Sequence, residues 1–289
     1  MGVRMTAAKG LAAVMMMAVA MPASSAQKAG VQVGWCTGIR NVAAAKAARF
    51  DYVELNTMEY TRMSDDEFAK AVADIKQIGM PTPVSHQFIP ATIRLTGPEI
   101  DRDAQMSYIR KAFNRAAALG VQTIVFGSGP ARRVPDGFSK DEAFRQLTEF
   151  GKRIAVEARR RNVTVVIEPQ RRQETNIINT AREGLALVNA INDPNFQLMI
   201  DFFHMTVEKE DPQIVVDARQ HLRHVHFAKP MGAGRAFPLT WEEYDFAPFF
   251  AKLKQIGYDG RISIEATPTD VAVEGPQSVA LLRRVFQRP

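Results

Sequence analysis

NVTVVIEP, residues 162–169, is a β-branched apolar run that closes on an acid, Glu168. The run lacks the strict alternation of a strand with one wet face, so it predicts a strand covered on both faces, as in parallel α/β sheets. A helical pattern, KDEAFRQLTEFGKRIAVEARRR, precedes it, and a second apolar run, FQLMIDF, follows at 196–202. Strand and helix therefore alternate on either side of this stretch.

The same alternation extends over most of the chain. Eight strand–helix units within about 260 residues predict a single-domain (β/α)8 TIM barrel over residues 27–289. A doubly wound open sheet is the alternative, but no G-x-G-x-x-G motif follows the first strand. The eight predicted strands are 31–36, 50–56, 81–86, 121–129, 162–169, 196–202, 222–228 and 260–266.

The first 26 residues have the pattern of a signal peptide. Arg4 and Lys9 precede the apolar stretch LAAVMMMAVAMPA, and ASSA supplies small residues for cleavage after Ala26. An uncleaved anchor is the alternative. We expect an exported protein, in a bacterial periplasm, with no membrane association after cleavage. The single cysteine, Cys36, excludes an internal disulfide.

The charge pattern gives no sign of a nucleic-acid partner. The net charge is +6, and it falls to +4 when Arg4 and Lys9 leave with residues 1–26. Basic residues are spread along the chain with only short clusters, whereas nucleic-acid binding usually needs a basic patch or stripe. A small-molecule ligand is the expected partner.

Four polar residues fall at or near the ends of the last four barrel strands. In a (β/α)8 barrel the carboxyl ends of the strands meet at the mouth where active sites lie. Taken singly, each acid could be a helix cap or a salt-bridge partner, and the histidine could be an ordinary core residue. Three carboxylates crowded together repel one another unless a cation neutralises them, and this oxygen and nitrogen set suits Mn²⁺, Mg²⁺ or Co²⁺. The four predicted metal ligands are Glu168, Asp201, His226 and Glu265.

The motifs that carry these residues are VIEP, DFFHM, HVHFA and ISIEA. In this order and spacing they resemble the xylose isomerase-like barrels of the sugar phosphate isomerase/epimerase superfamily. That group includes ketose 3-epimerases, hydroxypyruvate isomerases, inosose dehydratases and type 2 AP endonucleases. The resemblance implies that the four ligands hold one divalent ion, Mn²⁺ first, and that His204 contacts substrate oxygens. The chain lacks the larger His and Asp set of the DNA-repair branch.

The resemblance also implies a reaction. It predicts a metal-dependent sugar isomerase or epimerase in which Glu168 and Glu265 move a proton on the carbon next to a carbonyl. His86, Arg235 and Glu54 are predicted to bind the sugar, and homo-oligomerisation is left open. Two alternatives remain: an exported lyase of the same superfamily, for 3-keto-glycoside cleavage or keto-inositol dehydration, and a non-catalytic sugar-binding barrel.

Overall fold

Eight parallel strands close into one barrel in a computed structural model that describes residues 1–2 and 30–287. Around the barrel the hydrogen-bonded order is β1-β10-β7-β6-β5-β4-β3-β2, and a short antiparallel pair, β8 and β9, stands apart from it. The predicted (β/α)8 fold is confirmed. The strands are β1 (Gln32–Thr37), β2 (Tyr52–Asn56), β3 (Val84–His86), β4 (Thr123–Phe126), β5 (Thr164–Ile167), β6 (Phe196–Asp201), β7 (Leu222–Phe227), β8 (Lys229–Met231), β9 (Gly234–Ala236) and β10 (Arg261–Ile264).

Helices connect the strands and cover the outside of the barrel. The second helix after β2, Asp65–Ile78, shows how local chemistry sets their limits: Ser64 and Glu67 form a reciprocal capping box at its start, and Gly79, at φ +67°, ends it in the left-handed region. The helices are α1 (Val42–Ala47), α2 (Thr57–Arg62), α3 (Asp65–Ile78), α4 (Arg102–Ala118), α5 (Gly129–Arg132), α6 (Lys140–Arg159), α7 (Ala181–Ile191), α8 (Phe202–Val207), α9 (Gln213–Asp217), α10 (Ala247–Gln255) and α11 (Val271–Gln287).

Two separate apolar cores hold these layers together. The larger lies between strands and helices. The smaller closes the barrel interior and consists of Tyr52, Val84, Val125, Val166 and Met199, one from each of β2 to β6. This inner apolar layer fills the barrel interior. The polar side chains of the site lie next to it, at the carboxyl ends of the strands.

The predicted strands match the observed ones but extend further at several ends. β3 shows the cause: the prediction covers 81–86, whereas the strand begins at Val84 because Pro81 and Pro83 cannot donate to a ladder. The predicted signal peptide lies outside the described residues, except for Met1 and Gly2. Within the described ranges, no helix combines the length and the apolar character needed to cross a membrane.

Candidate metal centre

The four predicted ligands meet at the mouth of the barrel. Asp201 is the last residue of β6 and His226 lies in β7, while Glu168 and Glu265 directly follow β5 and β10. One potential ligand atom from each lies within 4.8 Å of the corresponding atoms of the other three. The regular spacing of the strand ends therefore collects one imidazole and three carboxylates in a single cluster.

Asp201 is oriented by the helix that follows it. Its Oδ1 accepts hydrogen bonds from the backbone N–H groups of Phe203, at 2.7 Å, and His204, at 3.4 Å, so that Asp201 caps α8. The N-terminus of a helix favours negative charge. The other oxygen, Oδ2, takes no part in the cap and instead accepts a hydrogen bond from Arg235 at 2.6 Å. The cap also places His204 one turn along α8, beside the acid that orients it.

A buried arginine fixes the backbone at Glu168. The guanidinium of Arg132 is fully buried and donates to the carbonyls of Glu168, at 2.8 Å, and Phe126, at 3.2 Å. Burial lowers the pKa of Arg132 to about 10, so the side chain stays charged at neutral pH. The Gln170 amide donates to Glu168 Oε2 at 3.1 Å. Gly127 faces both side chains, and a Cβ there would lie 2.6 Å from Gln170 Nε2 and closer still to Glu168 Oε2.

His226 links the cluster to a carboxylate below it. Its Nδ1 lies 3.2 Å from Glu168 Oε1 and 3.3 Å from Glu265 Oε2, so this nitrogen faces the ligand cluster. Its Nε2 lies 2.9 Å from Glu54 Oε1, and the second oxygen of Glu54 lies 2.8 Å from His224 Nε2. Histidines that bind metals commonly donate their other ring N–H to such a carboxylate.

Glu54 has no access to a sugar in this arrangement. Its exposed fraction is 0%, and both oxygens are engaged by imidazoles. Burial alone would raise the pKa of Glu54, but attraction and hydrogen bonds from His226 and His224 outweigh it and hold the pKa well below its usual range. The structure therefore places Glu54 behind the ligand cluster, a position that does not suit the predicted contact with substrate.

Arg235 lies at the centre of the mouth. It is carried by the β8–β9 hairpin, and its guanidinium donates to Asp201 Oδ2 at 2.6 Å and lies 3.0 Å from Glu265 Oε2 and 2.9 Å from His204 Nε2. Burial opposes its charge, but Asp201 and Glu265 outweigh that effect and raise the pKa of Arg235. The guanidinium also stacks on the Phe203 ring, 4.7 Å from its centroid.

The mouth opens into a space of about 380 Å³ lined by His86, Cys36, Arg171 and Glu265, among others. His86 ends β3, and its Nδ1 is buried without a hydrogen bond among the described residues. Burial lowers the pKa of His86, which favours the neutral ring. Of the predicted sugar-binding residues, His86, His204 and Arg235 therefore lie around the mouth.

Two further residues, His224 and Gln170, support the cluster and were not among the predicted site residues. The exposed fraction of His224 is 1%, and its ring bonds Glu54 behind the cluster. The sequence indicated this position, because residues two apart on a strand point to the same face and His224 precedes His226 by two. Gln170 carried no such signal, since it follows Pro169 in a loop.

The residues present fit a divalent ion. Three carboxylates and one imidazole form a hard donor set with no thiolate, which suits Mn²⁺, Mg²⁺ or Co²⁺ better than a structural zinc. Within the part of the chain that the structure describes, Glu265 Oε2 is buried and makes no well-formed hydrogen bond, although Arg235 lies close to it. Glu54 forms a second close group with His224 and His226, but its oxygens are already hydrogen-bonded to the two rings.

The structure is a single-domain parallel (β/α)8 barrel with three acids and an imidazole clustered at its carboxyl-terminal mouth. Comparison with known families agrees with this architecture. A family of xylose isomerase-like TIM barrels matches residues 42–284. The chain belongs to this family, and the resemblance read from its four motifs is confirmed.

Several of the curated relatives that the chain resembles are named as ketose 3-epimerases. L-ribulose 3-epimerase of Methylomonas sp. (strain DH-1) is 37% identical over 120 residues, which cover 41% of each chain. L-ribulose 3-epimerase of Mesorhizobium japonicum is 27% identical over 241 residues, 81% of this chain and 77% of the relative. The Methylomonas enzyme and a ketose 3-epimerase of Arthrobacter globiformis are thus each matched over only about two fifths of their own length. The structure of D-allulose 3-epimerase from Methylomonas sp. in complex with D-allulose superposes with a TM-score of 0.75 at 23% identity, covering 89% of this chain and 98% of the other.

Proposed function

We propose that the protein is a divalent-metal-dependent sugar isomerase or epimerase that removes and returns a proton on the carbon next to a carbonyl. One observation carries the proposal: two carboxylates, Glu168 and Glu265, lie at 3.2 and 3.3 Å from the same ring nitrogen of His226. They come from β5 and β10, which are separated by β6 and β7 in the barrel. Their strands therefore reach a bound sugar from different sides.

The ion would be held by Glu168, Asp201, His226 and Glu265. When bound, it would polarise the carbonyl and stabilise the negative charge that develops as the neighbouring proton leaves. Mn²⁺ is the proposed ion, because the donor set is rich in carboxylate oxygen and includes an imidazole.

The chain's own residues divide the proton transfer between them. Glu265 takes the proton from one face of the sugar, and Glu168 returns one on the other face, since a carboxylate placed within hydrogen-bond reach serves as base or acid. His204 and Arg235 hydrogen-bond the sugar oxygens, where Arg235 supplies a fixed positive charge to the oxygen that becomes negative. His86, held neutral by burial, positions the sugar from the β3 side.

The substrate class we propose is a ketose. The relatives named L-ribulose 3-epimerase and the D-allulose 3-epimerase that binds D-allulose support this choice. A lyase would share the first proton removal, because expelling a substituent from the adjacent carbon also begins with loss of that proton.

The test is to incubate the Mn²⁺-loaded protein with free ketoses and 3-keto-glycosides in D₂O and follow the sugars by NMR. We expect deuterium at the carbon next to the carbonyl together with an epimeric or isomeric product. An elimination product would instead establish the lyase. No exchange with any sugar, in protein shown to bind Mn²⁺, would contradict the proposal and leave a sugar-binding barrel.

We also propose that the protein is exported. Arg4, Lys9, the apolar stretch and ASSA support export. Mass spectrometry of the protein recovered from its native cell should give a mature chain that begins near Gln27. A protein from the cytoplasmic fraction that retains Met1 would contradict export without affecting the proposed reaction.

A further inference from the structure

A second, larger cleft opens beside the metal centre. Its volume is about 780 Å³, and Gln87 lines both this cleft and the opening above the metal centre. Gln170 lies in its wall and donates to Glu168 Oε2 at 3.1 Å. A molecule in the cleft would therefore lie next to a sugar bound at the metal centre.

The walls of the cleft offer hydrogen bonds and apolar surface together. Three glutamines, Gln87, Gln170 and Gln173, line the cleft together with the apolar residues Ile89 and Pro130. A carboxamide both donates and accepts, so it can pair with neighbouring hydroxyls. Gln170 Oε1 is buried and has no hydrogen-bond donor among the described residues.

Two arginines add donors at the rim. Arg62 and Arg133 line the cleft, and neither has an acidic partner within 4.0 Å in residues 30–287. Glu174, the acid of the cleft, is already paired with Arg171 at 2.9 Å. A guanidinium cannot accept a hydrogen bond, so the rim suits a ligand rich in oxygen acceptors.

We propose that this cleft binds a second sugar ring, so that the substrate is a ketose carrying a glycosyl group rather than a free ketose. The inference rests on the proposed function and extends it. Pockets of about 300–1000 Å³ enclose drug-sized molecules. The opening above the metal centre, about 380 Å³, is sufficient for one sugar. The adjoining cleft of about 780 Å³ is therefore not needed for that sugar and can hold a second group. The carbonyl end of the ketose would be held at the metal centre and the glycosyl group in the cleft.

The test compares fructose with isomaltulose, a glucosyl-fructose that keeps its ketose group. The Mn²⁺-loaded protein is incubated with each in D₂O, and kcat/KM is measured for exchange at the carbon next to the carbonyl. We expect isomaltulose to exceed fructose by at least about tenfold, the gain from a few well-made hydrogen bonds.

A cleft-filling variant shows whether the second ring sits where proposed. Ala91 is exposed and lines the cleft, so Ala91→Trp should lower the isomaltulose-to-fructose ratio by about tenfold. Val156, on the outer face of α6 and 44% exposed, supplies the matched control, and Val156→Trp should leave both rates unchanged. A wild-type preference for fructose, or an unchanged ratio in Ala91→Trp, would overturn the proposal.

The binding measurement separates this inference from the proposed function. Exchange with neither sugar contradicts the epimerase function, and the cleft is then judged by binding alone. Saturation-transfer NMR with the Mg²⁺-loaded protein should detect isomaltulose on the wild type and lose it in Ala91→Trp. No isomaltulose signal on the wild type, or an equal signal on both proteins, overturns the second-ring site.

Discussion

Glu54 Oε1 lies 2.9 Å from His226 Nε2, on the side of the ring opposite the ligand cluster. Glu54 is held in turn by His224, at 2.8 Å from its other oxygen. With Nε2–H donating to Glu54, the Nδ1 of His226 is free to act as a ligand. A carboxylate in this position fixes the ring orientation and strengthens the imidazole as a donor to metal. We therefore expect Glu54 to position His226 for the proposed metal ion.

Replacing Glu54 with Gln should weaken Mn²⁺ binding. The amide keeps the shape of the side chain but removes the negative charge, and loss of such a supporting carboxylate typically costs about 10- to 100-fold in metal affinity. Competition with a chelating dye measures the affinity of the purified variant.

Tyr52→Phe is the matched control. Tyr52 precedes Glu54 by two residues on β2 and bonds Ser263 Oγ at 2.8 Å, and among the described residues it forms no hydrogen bond with His226. It should lose a little stability and keep its Mn²⁺ affinity. Equal affinities of wild type and Glu54→Gln would show that Glu54 does not support the metal centre.

Removing the guanidinium of Arg235 should strengthen Mn²⁺ binding. Arg235 contacts Asp201 and Glu265, two of the proposed ligands, so an incoming ion must displace these charge-assisted bonds. We expect Arg235→Met to bind Mn²⁺ about tenfold more tightly in calorimetry. Its KM for a sugar should rise, because a donor to the sugar oxygens is gone.

Arg171→Met separates this competition from a general effect of charge. Arg171 also stacks on Phe203, at 4.9 Å, but its guanidinium bonds Glu174 and the carbonyl of Ala233 instead of a proposed ligand. Its Mn²⁺ affinity should stay close to that of the wild type. A weaker Mn²⁺ affinity in Arg235→Met would contradict the idea of competition.

Gly127 should not tolerate a side chain. A Cβ at this position would collide with Glu168 Oε2 and lie 2.6 Å from Gln170 Nε2. Gly127→Ala should therefore cost about 1–3 kcal/mol of unfolding free energy and displace a ligand. We expect a lower melting temperature and a smaller shift on adding Mn²⁺. Gly30→Ala, where nothing lies within 4 Å, should match the wild type in both measurements.

The barrel and the four converging strand ends could be predicted because their signals are local. A β-branched run that closes on an acid identifies both the strand and the end at which its polar residue lies, as at Glu168 and Asp201. The parallel barrel then places those ends together without further information.

The role of Glu54 could not be read in the same way. Glu54 is followed in β2 by Leu55 and Asn56, so it lies one layer deeper than Glu168, which comes after its strand. That depth depends on where each strand begins and ends, and strand limits are the least certain part of a sequence-based prediction. The β8–β9 hairpin is likewise invisible to periodicity, since three-residue strands such as Gly234–Ala236 are too short to show any. Its contacts with Asp201 exist only in the closed barrel.

Replacing Glu265 with Gln should separate proton transfer from metal binding. Gln keeps one coordinating oxygen and nearly the same shape, but it has neither the negative charge nor the basicity of the carboxylate. Without a positioned base, exchange at the carbon next to the carbonyl should fall by about 10²- to 10⁴-fold. Epimerisation or elimination should fall in parallel, because both begin with this proton. The measurement is NMR exchange in D₂O, at Mn²⁺ concentrations shown by calorimetry to load the variant.

His204→Ala provides the contrast. His204 lies beside Asp201 on α8, and Arg235 points to its Nε2 at 2.9 Å, so it should affect sugar affinity more than metal affinity. Its main effect is expected on KM, with metal affinity near that of the wild type. Wild-type exchange in metal-loaded Glu265→Gln would show that Glu265 is not the base. Because Glu168 is the other carboxylate facing His226 Nδ1 in the described cluster, Glu168→Gln would then have to carry the loss instead.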